Sequence, residues 1–465
     1  MTVEISTAYG ISEAYRRGQV SPVEIVSQVV DGAEISQPVI NAFQMLDCDY
    51  AVEQAKQSEE RWRVGEAKSD IDGLPIAIKD LNLTAGWPTL SGSRTVDPKQ
   101  SWVVDSPCVA RLREAGAVLF GKTTTPEFGW KGLTDSPLSG YTRNPWDLNR
   151  SCGGSSGGAA ASVAAGICPV NHASDGGGSI RIPASYCGLF GFKPTFGRIA
   201  SYPRKGAFAT LASEGPITRT VRDAVMLLQV FSGPDDRDAF ALPVSDLDYM
   251  MSLNDGVKDL KIALCNSLGD VTPQNDIAQR TRAAAVIFEL LGARVTEVDS
   301  IFESLRPIFE RYWLAMLWHC VSDVPDSKRE LLDRDLLRVS KAGMTVSLSE
   351  FSVAMTARAE LISRMNRFYR DYDLLLTPTM PTDPPLVGTP YHTKDFDRWE
   401  HAVPYTVPFN LTGQPAASIA CGLSDLGLPV GLQIVGRLYD DRRVLSAASA
   451  FEGVSPPLEL PKLKR

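Results

Sequence analysis

The spacing of apolar positions changes character near Asp72. Before it, residues 1–65 read as helical: Ser21 and Pro22 form an N-cap and N1 pair, Glu24 falls in the first turn, and Val23, Ile25, Val26 and Val29 make an apolar side. Beyond it, short apolar runs stand between glycines at 74–79, 117–121 and 188–192, the pattern of buried strands. Residues 109–115 predict a helix closed by Gly116. The alternation returns with a strand at 260–265, a helix at 277–291 carrying Ala284, Ile287, Phe288 and Leu291 on one face, and a strand at 294–298. This alternation predicts an α/β fold with a sheet sandwiched between helices. Stretches rich in Pro and Gly at 377–389 and 412–431 predict loops lining a site rather than linkers, because an apolar run at 373–376 leads directly into the first.

Composition narrows the picture. The 465 residues are 44% apolar and 22% charged, the balance of a globular chain with ample core. The longest stretch of small and apolar residues, 159–170, includes Gly166 and Pro169 and is too short and too broken to cross a bilayer. Residues 1–10 carry Glu4 and no basic-then-apolar pattern, so no signal peptide and a cytoplasmic location are expected. The cysteines at 48, 108, 152, 168, 187, 265, 320 and 421 contain no C-x-x-C and are expected to be reduced. A net charge of −8, with basic residues clustered only at 462–465, argues against nucleic acid and for a small neutral substrate. His172, His319, His392 and His401 fall at no metal-ligand spacing, so neither a metal nor another cofactor is expected.

The densest chemical signal lies between Cys152 and Ala184. A first glycine-rich piece, Gly153-Gly154-Ser155-Ser156-Gly157-Gly158, feeds a small-residue helix at 159–165; a second runs Asp175-Gly176-Gly177-Gly178-Ser179-Ile180-Arg181-Ile182-Pro183-Ala184. A linker reading of the first fails because a strong helix former follows it at once, and a glycine loop at a buried helix N-terminus gathers N–H groups. Neither piece is a phosphate loop: no Lys-Ser/Thr follows Gly157 or Gly158, and no G-x-G-x-x-G can be drawn. Residues 153–157 match G-x-S-x-G formally, but that elbow needs a buried strand before it and 145–152 reads as turn-like.

With these motifs the chain resembles the amidase signature family, closely over 72–233 and more loosely through Leu374-Leu375-Leu376-Thr377-Pro378-Thr379 and Pro408-Phe409-Asn410-Leu411-Thr412-Gly413-Gln414-Pro415-Ala416. The resemblance implies one amidase domain over 1–465, a mixed twisted sheet between helix layers. Its parts would be a helical segment 1–65, a signature core 66–233 and a selectivity part 234–465. It implies a catalytic Lys79, a bridging Ser155 that follows a cis Gly154–Ser155 bond, and a nucleophilic Ser179. Gly176, Gly177 and Gly178 become the expected oxyanion hole, Phe128, Gly129 and Ser156 substrate contacts, and Asp175 and Arg181 a supporting ion pair. Many relatives carry threonine where this chain has Gly176.

The chemistry is consistent with those roles. A serine hydroxyl needs a base in reach, and a lysine can serve only if burial lowers its pKa by about 3 units. Phe128, Gly129 and Trp130 are expected beside the Ser155 loop, whereas Phe309, Tyr312, Trp313 and Trp318, at helical spacing, are expected in the core. The expected activity is hydrolysis of small or aryl amides, and of carbamates, by a monomer or homodimer without partner proteins. One alternative is the A-type component of a glutamine-dependent tRNA amidotransferase, which resembles the core but carries an acidic residue where Val403 stands here. The other is an inactive binding homologue, against which Lys79, Ser155 and Ser179 all speak.

Overall fold

The computed structural model describes residues 7–204, 206–244, 248–269, 271–389 and 403–463; His392 and His401 lie outside them. Its centre is an eight-stranded mixed sheet. In spatial order the strands are Arg294–Glu297, Lys261–Leu264, Leu374–Pro378, Pro429–Gly436, Ala416–Leu423, Phe190–Lys193, Ser213–Thr218 and Val170–Asp175. The first three run parallel and the remaining pairings are antiparallel. Strands from 66–233 and from 234–465 therefore share one sheet.

Alternation along the central strands sorts side chains into two helix layers. Ile262, Leu264, Leu374, Leu376, Leu432 and Ile434 face Val225, Phe288, Val444 and Phe451 on one side. Ala263, Leu375 and Val435 face Trp313, Leu317, Met365 and Tyr369 on the other. A smaller sheet, Phe43–Leu46, Val118–Thr123 and Pro75–Lys79 in that order, carries Lys79 at the end of its edge strand. Among the described residues no helix is long and apolar enough to cross a membrane.

Three expectations need correction. The N-terminal segment is helical at Ala8–Arg16, Pro22–Ile40 and Cys48–Val64, and Ser21 caps Pro22–Ile40 with Glu24 in a capping box, but Phe43–Leu46 is a strand paired with Val118–Thr123. The 412–431 stretch is no loop: Ala416–Leu423 and the start of Pro429–Gly436 lie within it as a hairpin in the central sheet. Being buried on both faces and built largely of small residues, it shows no polar–apolar alternation. Residues 145–152 contain the strand Asp147–Ser151, which pairs with Arg143–Asn144 in a two-stranded ribbon and is only part-buried. The buried strand that a G-x-S-x-G elbow requires is thus not there.

Candidate active site

Every residue of Pro75–Lys79 is buried, and the apolar strand delivers the Lys79 amine to a site with no exposure. Its Nζ lies 2.8 Å from Ser155 Oγ, 2.8 Å from Ser156 Oγ, 3.0 Å from Ser174 Oγ and 3.2 Å from the Ser174 carbonyl. Burial pulls the Lys79 pKa down to about 7, against the opposing pull of the Glu214 and Asp175 charges. The turn that follows is fastened by a second buried lysine, Lys122, whose Nζ donates to the Asn82 carbonyl and to Thr84 and Thr89.

Ser155 sits on the 153–156 loop that opens the helix Gly157–Ala164. The Gly154–Ser155 peptide is cis, as the resemblance implied. A Cβ on Gly154 would lie 2.5 Å from the Leu133 carbonyl, so this loop is packed against backbone rather than slack. Ser156 N–H donates to the Ser179 carbonyl at 3.2 Å, which ties the two serine loops together. Ser156 itself is wholly buried, with its hydroxyl engaged by Lys79 and the Ser174 carbonyl, so it supports the lysine and does not reach substrate.

The Ser179 loop leaves the strand Val170–Asp175 and enters the helix Arg181–Cys187. Asp175 and Arg181, both fully buried, pair through Nε–Oδ2 at 2.9 Å and Nη2–Oδ1 at 3.0 Å. Burial alone would raise the Asp175 carboxyl; the charge and hydrogen bonds of Arg181, with Lys193 and Asn410, outweigh it and hold it well below the usual carboxylate range. Arg181 also donates to the Thr406 carbonyl (2.9 Å), Gln433 Oε1 (2.8 Å) and Asn410 Oδ1 (2.7 Å).

One expected oxyanion donor is already engaged: Gly178 N–H donates to Asp175 Oδ1 at 2.6 Å. Gly178 instead shapes the loop, with φ +126° and Thr406 Oγ1 2.3 Å from where its Cβ would be. The N–H groups of Gly176, Gly177 and Ser179 have no acceptor among the described residues.

Ser155, Ser174, Gly176 and Ser179 border one cavity of about 590 Å³. Phe128, held at φ +52°, and Gly129 also line it, whereas Trp130 is buried in the core behind. Phe309, Tyr312 and Trp313 are buried as expected, but the same helix, Arg306–Ser322, sends Met316, His319 and Cys320 to the cavity wall. Glu214 borders the cavity as well; its Oε2 is 3.2 Å from His172 Nε2, and Ser201 Oγ donates to its Oε1 at 2.9 Å. Ser174, Glu214, Thr406, Asn410 and Gln433 were not singled out by sequence reasoning; the only signal was that Asn410 stands in the second resemblance motif. No group of three potential metal ligands occurs among the described residues. A hydroxyl 2.8 Å from an amine that titrates near neutrality can hand its proton to that amine.

Comparison with known proteins gives a consistent result. A glutamyl-tRNA(Gln) amidotransferase, represented by its A-type component from Synechococcus sp. (strain CC9902), is 33% identical over 94% of this chain and 94% of its own length. An acylamidase of Rhodococcus erythropolis is also 33% identical, over 94% of this chain and 92% of its own. The crystal structure of a bacterial aryl acylamidase of the amidase signature family superposes with a TM-score of 0.91 at 34% identity, covering 98% of this chain and 97% of that one. The family model described as Amidase matches residues 24–445, and with that span around this buried lysine and its two serine loops, the chain belongs to the amidase family.

Proposed function

We propose that the chain hydrolyses the C–N bond of small or aryl amides, and of carbamates, through an acyl-enzyme on Ser179. The observation that carries this reading is the wholly buried Lys79 Nζ, 2.8 Å from Ser155 Oγ in a cavity that Ser179 also borders. Ser179 Oγ attacks the carbonyl carbon while its proton passes through Ser155 to neutral Lys79. The tetrahedral oxyanion faces the unengaged N–H groups of Gly176, Gly177 and Ser179, which cost no reorganisation as charge develops. Collapse breaks the C–N bond and returns the proton to the leaving nitrogen, and water then repeats the sequence to release the acid. Carbamates follow the same steps, so only pocket shape separates the two classes.

A fluorophosphonate tests the nucleophile: the label is expected on Ser179, with turnover lost in Ser179→Ala and unchanged by EDTA. Label on another residue would overturn the assignment. A second reading, glutamine-dependent amide transfer, is favoured by the similarity to the amidotransferase components. Against it, Val403 is an apolar side chain with 3% exposure and offers no charge to an α-ammonium group. Ammonia release from glutamine by the purified chain, exceeding aniline release from a nitroanilide, would establish that second reading.

A further inference from the structure

Gly176 is the first residue past Val170–Asp175 and borders the reaction cavity. A Cβ built on it would lie 2.0 Å from Phe208 Cε1, 2.7 Å from Cζ and 2.9 Å from Cδ1. The edge of the Phe208 ring therefore occupies the volume that any side chain at 176 would need. Losing that side chain does not widen the site, because an aromatic ring from elsewhere in the chain has taken its place.

Phe208 comes from the short 3₁₀ turn Gly206–Thr210, which is fastened on both sides. Arg358 donates to Thr210 Oγ1 and to the Thr210 carbonyl, each at 2.7 Å. Arg204 donates to the carbonyls of Ala209 at 3.2 Å and Ala212 at 3.1 Å. Behind the ring lies Trp313, with centroids 4.7 Å apart, and behind Trp313 lies Phe309 at 5.1 Å. Met316, from the same helix as these two, borders the cavity together with Phe208. A ring braced in this way offers its remaining surface to the cavity as a fixed aromatic wall, against the loop that carries Ser179.

We propose that Phe208 is a specificity-determining residue, admitted beside the scissile bond because position 176 is glycine, and that its ring selects substrates bearing an aryl group next to that bond. The proposal rests on the amidase reading above. Gly176 and Phe208 form one steric unit: a side chain at 176 and a ring at 208 exclude each other.

The test uses the full chain and two substrates, an aliphatic primary amide and a nitroanilide, with the readout being the ratio of their kcat/KM values. Phe208→Ala is expected to lower the aryl-over-aliphatic ratio at least tenfold, mostly through KM for the anilide, and Phe208→Leu to lower it less. Gly176→Ala is expected to impair both substrates, and Gly176→Ala combined with Phe208→Ala to recover aliphatic turnover at least tenfold over Gly176→Ala alone. An unchanged ratio in both Phe208 variants, or a double variant no better than Gly176→Ala, overturns the proposal. Fluorophosphonate labelling of Ser179 in every protein separates the two levels of argument: failure to label the unmodified chain defeats the amidase reading, whereas normal labelling with an unmoved ratio defeats only the role of Phe208.

Discussion

The pH dependence of turnover follows from where Lys79 sits. Burial brings this amine from its ordinary 10.5 to about 7. A difference of about 3.5 pH units corresponds to about 5 kcal/mol between the two protonation states. At pH 7 about half of the enzyme then carries the neutral base, against roughly 0.03% for a lysine of ordinary pKa, an advantage of about three orders of magnitude. The sign is fixed because the amine must lose its proton to act: kcat/KM rises with pH, being about a tenth of its plateau at pH 6 and about a hundredth at pH 5, and levels off above pH 8. The assay is kcat/KM for a nitroanilide from pH 5 to pH 10 at constant ionic strength. A rate still climbing tenfold per unit above pH 8 would mean that Lys79 keeps an ordinary pKa, and a profile flat from pH 5 to pH 7 would mean that it is not the base.

Three further outcomes follow from the same network. Lys79→Met is expected to abolish turnover and to remove a pH-dependent cost: the unfolded lysine stays protonated up to 10.5 and the folded one only to about 7, so the wild type gains about 2 kcal/mol on the variant between pH 7 and pH 9, read by urea denaturation; a constant difference refutes this. Glu214→Gln removes a negative charge that favours the ammonium form, so the acid limb of the rate profile moves to lower pH although Asp175 still opposes it, and an unmoved limb would deny Glu214 that influence. Arg181→Ala strands Asp175 as a buried carboxylate and should cost about 3–5 kcal/mol in the same denaturation assay, a loss under about 1 kcal/mol being contrary to the buried pair.

The sequence reveals best what it encodes locally. Apolar runs between glycines mark Pro75–Lys79 and Val118–Thr123 because both strands are buried and short. Lys79, Ser155 and Ser179 stand out because a lysine ending an apolar strand and serines among glycines are unusual company. Ala416–Leu423 escapes because small residues in a doubly buried strand leave no period to read. Asn410 and Gln433 escape for another reason: they meet Arg181 across 229 and 252 residues, and nothing near either residue announces that contact. Adjacency also misleads. Ser156 follows Ser155, yet its hydroxyl turns to the lysine; Gly178 follows Gly177, yet its N–H is spent on Asp175.

The long reach of Arg181 bears on how the enzyme comes into being. Its partners Thr406, Asn410 and Gln433 are all made more than two hundred residues after it, and Gln433 belongs to a strand in the middle of the central sheet. Contacts of such separation close late, because the entropy of the intervening chain must be surrendered first. A nascent or truncated chain ending before Thr406 has the lysine and both serines but leaves the guanidinium beside Ser179 with Asp175 alone. The reactive serine is thereby placed under the custody of the last part of the chain to be synthesised, and an incomplete polypeptide does not hold the Ser179 loop in its finished form.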